Sequence, residues 1–182
     1  SAITGGKFAN GATTAAFSRA FNDEVHANDN RGYRNGFDKN DPNYHEYWTS
    51  TKICDQSRQY GCSGSYVYGE GLDRYSAPGL DGSYIANGET RTLPIFGPVS
   101  FLTYPDQMMI VNVTMPGHLL YPGYVERQVV EMNGGVYIQT HGVGVGNLGI
   151  PNTAAANTMW HTVDAQIASS LTQLYPPTKI TP

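Results

Sequence analysis

The chain has 182 residues, 40% of them apolar, which is enough for one ordinary domain with its own core. Eleven Lys and Arg against fifteen Asp and Glu leave a net charge of −4, which excludes a global attraction to nucleic acid, and the 14% charged content predicts a polar but weakly charged surface. No stretch reaches the length of a membrane-spanning helix, and the first residues lack the pattern of a secretion signal.

Asn10 caps a helix expected from about Ala12 to His26, in which Phe17, Ala20, Phe21 and Val25 recur at helical spacing as one apolar stripe. From Ala27 to Thr92 the sequence is dense in Gly, Asn, Asp and Tyr, which predicts turns, irregular loops and at most short strands, pinned to a scaffold by the tyrosines and Trp48. Within it, Cys54 and Cys62 either close a small disulfide loop, if the protein works in an oxidising compartment, or remain two reduced thiols. Their spacing is not CxxC and no second pair exists, so a metal site is not expected. Nor do His26, Asp41, His45, Glu46 and Asp55 show helical metal-ligand spacing; no metal and no cofactor is expected.

Strand-like sequence resumes at Val99 to Thr103 and Met108 to Met115, followed by a hairpin from Tyr124 to Met132 and Gly135 to Gly142. Asn133-Gly134 suits a two-residue type I′ turn, and that turn fixes a register in which Arg127 faces Thr140 and Glu126 faces His141. Because strand side chains alternate, Arg127 and Thr140 share the greasier face with Val125, Val129, Val136 and Ile138, while Glu126 and His141 lie on the other. A final helix is expected from Thr153 to Leu174, with Trp160, Val163, Ile167, Leu171 and Leu174 as its stripe and Pro176-Pro177 ending it. The predicted fold is α+β: an antiparallel sheet of about four strands, a helix at each end, and a long Gly/Tyr/Asn-rich irregular region. Residues 1–26 are expected to be a linker and helix preceding a single domain over 27–182.

Residues 5–22, GGKFANGATTAAFSRAFN, resemble the segment that precedes the variable toxin domain of bacterial polymorphic toxins, the Rhs/YD-repeat and filamentous-haemagglutinin classes. Lys7-Phe8-Ala9-Asn10-Gly11, Thr14, Ala16, Phe17, Phe21 and Asn22 carry that likeness. The resemblance implies a C-terminal effector domain within a secreted multi-domain parent. It implies delivery through that parent's secretion apparatus into a competing bacterium, to its cytoplasm or periplasm, and a cognate immunity protein that blocks the domain in the producer.

For chemistry, the residues singled out are His118, Arg127, Thr140 and His141. A histidine exchanges protons near neutrality, and an arginine stabilises a developing phosphate or oxyanion charge through its fork of donors. With Thr140 or His141 orienting it, this set resembles metal-independent ribonuclease toxins in layout. The bland alternative pairs Arg127 structurally with an acid. Other readings remain open: a periplasmic toxin attacking cell-wall or lipid precursors, held by a Cys54–Cys62 disulfide; an ADP-ribosyltransferase built on Arg31-Gly32-Tyr33, Thr49-Ser50-Thr51, Glu126 and Glu131; and a non-enzymatic pore-forming or structural module. The five-residue gap between the two glutamates puts them on opposite faces, against the second of these. The Gly142–Gly146 run lets backbone approach a ligand, yet GxGxG after a hairpin is no dinucleotide fingerprint.

Overall fold

The computed structural model describes residues 37–57, 61–146 and 153–174. The chain divides into two compact units, Ser1–Asp38 and Lys39–Pro182. The helix expected over residues 12–26, together with His26 and Arg31 to Tyr33, lies outside the described residues.

The second unit is built on one antiparallel sheet. Its strands are β1 (His45–Asp55), β2 (Thr90–Leu93), β3 (Gly97–Tyr104), β4 (Met109–Thr114), β5 (Gly123–Met132) and β6 (Gly135–Gly144), arranged in the order β1-β6-β5-β4-β3-β2. The sheet thus has six strands where about four were expected, and the two additional ones are its edges. β1 lies inside the stretch read as irregular and β2 straddles its end. The reason is physical: β1, HEYWTSTKICD, is an edge strand in which only Thr49 and Cys54 are buried, so it lacks the apolar–polar alternation that announces a half-buried strand. What makes it a strand is pairing along almost its whole length with β6, and a face of Tyr47, Thr49, Thr51 and Ile53, residue types that suit a pleated surface.

The β5–β6 hairpin turns at Asn133 (φ 52°) and Gly134 (φ 71°), the positive values that a type I′ turn requires. Its register sets Met132 opposite Gly135, Val129 opposite Ile138, Arg127 opposite Thr140 and Glu126 opposite His141. Extending that alternation across the sheet gives one face with Phe101, Ile110, Asn112, Val125, Arg127, Val129, Ile138, Thr140, Thr49 and Tyr47, and an opposite face with Val111, Tyr124, Glu126, His141, Trp48 and Glu46.

Two helical segments meet the first face. Between β1 and β2, an α-helical turn (Gly64–Tyr66) continues as a π-helix (Val67–Leu72), together α1; after the sheet comes α2 (Thr153–Leu174), at the bounds its sequence predicts. Ser63 caps α1 by accepting from the Tyr66 N–H, and Glu131 accepts the Gly64 N–H at 2.5 Å. The stripe Ala156, Trp160, Val163, Ile167 and Leu171 is buried, with Ile167 and Leu171 joining Val67, Leu72, Phe101, Ile110, Val129 and Ile138 in one core. Each such side chain contributes about 1.5–3 kcal/mol when fully buried, so this layer holds α2 to the sheet. A disulfide between Cys54 and Cys62 fastens the end of β1 to the segment entering α1.

Candidate functional site

Arg127 and Thr140 meet, as the hairpin register requires, but beneath α2. Arg127 is the largest fully buried side chain of the described residues, at 0% exposure. Its guanidinium is paired with the equally buried Asp164 of α2, donates to the Tyr75 carbonyl at 3.0 Å and to Thr140 Oγ1 at 3.3 Å, and lies 4.8 Å from the centre of the Trp160 ring. Burial depresses the Arg127 pKa and the charge of Asp164 opposes that, as expected for a cation retained in the core by a single acid. A guanidinium enclosed on every side has no route to a substrate phosphate. The role assigned to Arg127 and Thr140 from sequence is therefore replaced by a structural one: they tie α2 to the centre of the sheet.

His118 is placed elsewhere, in the β4–β5 connection. Its Nδ1 accepts the Leu120 N–H at 3.0 Å and its ring stacks on Phe96 with centroids 6.3 Å apart. Burial lowers its pKa. These partners lock it into the loop, and none of them belongs to the Arg127 group.

His141 opens the site that the structure does assemble. On the opposite face of the sheet, its Nδ1 lies 3.1 Å from Glu126 Oε2 and its Nε2 lies 3.0 Å from Glu46 Oε1. Only an imidazolium donates through both nitrogens, so a protonated ring satisfies both carboxylates together. Trp48 stacks on the ring at 3.7 Å with an interplanar angle of 9°, and Tyr124 meets it edge-on at 6.3 Å. His141 and Glu126 are buried, while the Glu46 side chain is 33% exposed and Trp48 is 49% exposed. The accessible end of the group is therefore Glu46.

Glu46 also receives a hydrogen bond from the Tyr44 hydroxyl at 2.8 Å and has Lys39 Nζ 3.7 Å away. Burial pushes its pKa up, but hydrogen bonds from Tyr44 and His141 and the charges of His141 and Lys39 outweigh this, and the net shift is downward. The Tyr44 phenol is raised to about 12 by burial and by Glu46, so it stays a donor. The result is a carboxylate kept ionised at the partly exposed end of a Glu126–His141–Glu46 chain.

Glu46 and Tyr44 line a cleft of about 700 Å³ at the end of the sheet where β1 and β5 begin and β6 ends. Its walls are mainly apolar: Tyr47, Phe96, Leu119, Leu120, Val125 and Met159 contribute. The glycines at the end of β6 and just after it serve this packing: a Cβ on Gly142 would fall 2.2 Å from Tyr47 Cζ, and one on Gly146 would fall 2.5 Å from the Leu120 carbonyl carbon. The Tyr47 side chain fixed in this way accepts the Trp160 indole N–H on its hydroxyl oxygen at 2.9 Å.

From the sequence His141 faces Glu126, while Glu46 enters only among loop residues set aside as metal ligands, Trp48 only as an anchor of the irregular region, and Asp164 not at all. The places of Glu46 and Trp48 beside His141 were hidden by the unrecognised β1. Asp164 had a usable signal, an acid one residue after Val163 and three before Ile167 on the apolar side of α2. Glu126 and Glu131 diverge as the register predicts, one bonded to His141 and the other to Gly64, so they do not form a paired-glutamate motif. Among the described residues, no group of three or more His, Cys, Asp or Glu side chains is placed to hold a metal ion.

No protein-family model matches the chain, and no curated protein matches its sequence. Among solved structures it is similar to Ara h 8.0201, at 8% identity over 72% of this chain and 97% of that one, with a TM-score of 0.43. It is also similar to two di-domain ARO/CYC proteins. One is BexL from the BE-7585A biosynthetic pathway (14% identity, 92% of this chain, TM-score 0.38), and the other is StfQ from the steffimycin biosynthetic pathway (10% identity, 72% of this chain, TM-score 0.35). The chain spans 61% and 51% of those two proteins' lengths.

Proposed function

We propose that this chain is the effector domain of an Rhs-like polymorphic toxin, and that it hydrolyses an amphiphilic substrate of the target cell's envelope, a lipid or lipid-linked cell-wall precursor. The observation that carries the chemistry is Glu46, an ionised carboxylate at the wall of an apolar cleft, backed by His141 and Glu126. Glu46 acts as the general base that draws a proton from an attacking water. His141 positions it and balances its charge, Glu126 orients His141, and the apolar walls take the hydrocarbon part of the substrate.

Three features favour an envelope substrate over RNA. The cation that a ribonuclease would need, Arg127, is enclosed. The accessible group carries no surplus of positive charge, since Glu46 and Glu126 are matched by His141 and Lys39, so it offers a polyanion no attraction. The Cys54–Cys62 disulfide suits an oxidising compartment such as the periplasm. The toxin context rests on the segment at residues 5–22 and carries with it delivery by a secretion apparatus and neutralisation by an immunity protein.

The experiment is expression in a bacterium with and without a periplasmic export signal, using the natural sequence and Glu46→Gln. Killing that requires export and is lost in Glu46→Gln, together with accumulation of cleaved lipid or precursor in extracts analysed by mass spectrometry, is the expected result. Killing from the cytoplasm with degraded RNA, or full toxicity of the folded Glu46→Gln variant, refutes the proposal.

A further inference from the structure

Two loops meet beside the cleft. The β2–β3 turn spans LPIFGP (93–98) and the β4–β5 connection spans MPGHLLYPGY (115–124). They are locked together: the Leu119 N–H donates to the Phe96 carbonyl at 2.8 Å and the Met115 N–H to the Pro98 carbonyl at 3.0 Å. At Gly97, a Cβ would lie 2.7 Å from the Gly117 carbonyl oxygen. Such a closely tied pair of loops would ordinarily turn its apolar side chains inward. Three of them turn out instead: Ile95 is 88% exposed, Leu119 44% and Tyr121 39%. Ile95 moreover holds φ at 71°, a costly conformation for a β-branched residue that points its side chain away from the domain.

Neither loop contains Asp, Glu, Lys or Arg, and its histidine, His118, has its pKa lowered by burial. Phe96 and Leu119 of these loops also line the cleft. We propose that this uncharged tip docks on a phospholipid bilayer, seating Ile95, Leu119 and Tyr121 at the headgroup–acyl boundary so that the mouth of the cleft faces the lipid. A protruding aliphatic side chain with a tyrosine behind it is what the interface accepts, since the tyrosine keeps its hydroxyl in the polar layer while its ring is buried. A bilayer also needs no matching pocket for Ile95, whereas a protein partner would have to supply one. Because the tip has no cation and the chain is acidic overall, the attraction is apolar, and it favours no anionic headgroup. The docking stands on the loops alone; loading of the cleft from the bilayer rests on the proposed envelope substrate.

The test is flotation of the full chain with extruded vesicles of phosphatidylcholine alone and of phosphatidylethanolamine with phosphatidylglycerol. Vesicles should carry the protein to a similar extent in both compositions, with little change when salt is raised. The double variant Ile95→Ser/Tyr121→Ser should lose at least tenfold in bound fraction with its thermal midpoint unchanged, and in Ile95→Trp the added indole emission should shift to the blue on vesicle addition. The inference is overturned if the natural protein ignores both kinds of vesicle, if the double variant floats equally well, or if binding needs anionic lipid and disappears in salt. A loss of toxicity in Glu46→Gln with flotation intact supports both ideas. Flotation without any lipid or precursor cleavage leaves docking standing and removes the hydrolase, and cleavage without flotation does the reverse.

Discussion

The buried Arg127–Asp164 pair offers a quantitative test of the structural role assigned to the arginine. Replacing Asp164 by Leu leaves a guanidinium sealed under α2 with only the Tyr75 carbonyl, Thr140 and the Trp160 ring as partners. Removing one member of a buried pair in this way costs about 3–5 kcal/mol. With a urea dependence of about 2 kcal/mol per molar, the unfolding midpoint should fall by about 2 M. Arg127→Met should cost a similar amount, because Asp164 is wholly buried and its Oδ2 has no hydrogen-bond partner among the described residues. The double variant Arg127→Met/Asp164→Leu should recover most of the loss, ending within about 1 kcal/mol of the natural protein, since both desolvation penalties vanish together. Urea unfolding followed by tryptophan emission measures all three variants, Trp160 reporting from beside the guanidinium. Single costs that simply add in the double variant would refute the pairing argument. An Arg127→Met protein of natural stability but without activity would restore the arginine to the chemistry.

Two further outcomes follow from other parts of the molecule. The Cys54–Cys62 bond closes a loop with a sequence separation of 8, and the chain-entropy relation gives it about 2.5 kcal/mol, so Cys54→Ser/Cys62→Ser or reduction should lower the calorimetric midpoint by several degrees without changing the far-ultraviolet spectrum. Burial raises the Asp73 pKa to about 6 from an ordinary 3.8, so the folded state resists ionising it: its contribution to stability falls as pH rises from about 4 through 6 and remains low above that. Asp73→Asn should therefore stabilise the protein modestly at pH 7.5 and hardly at pH 4, measured by denaturation at the two pH values; an equal effect at both would contradict the assigned shift.

How much of this was legible in sequence depended on whether the signal was local. The β5–β6 hairpin was readable because Asn133-Gly134 admits positive φ at both turn positions, and a two-residue turn leaves one register. α2 was readable because Trp160, Val163, Ile167 and Leu171 repeat at helical spacing on a chain that Pro176 must end. β1 was not. Only Thr49 and Cys54 of it are buried, so no apolar–polar alternation marks it, and an edge strand of this kind reveals itself only when β6 is there to pair with it. With β1 missing, Glu46 could not be placed opposite Val143, two residues from Trp48, the strand position that faces His141.

The same alternation explains why the chemistry and the core scaffold separate. Residues 126 and 127 are neighbours in sequence, yet the pleat sends Glu126 to one face and Arg127 to the other, and residues 140 and 141 divide in the same way. α2 covers the face that receives Arg127 and Thr140, and supplies Asp164 to neutralise the cation there. The opposite face keeps His141, and the edge strand brings to it one partly exposed acid, Glu46, and one half-exposed ring, Trp48. A polar side chain on this sheet can serve stability or function according to which face it takes, and a one-residue slip of the hairpin would exchange the two sets. Placing the accessible carboxylate on the edge strand, at the open end of the sheet, leaves the interior pair free to be fully enclosed.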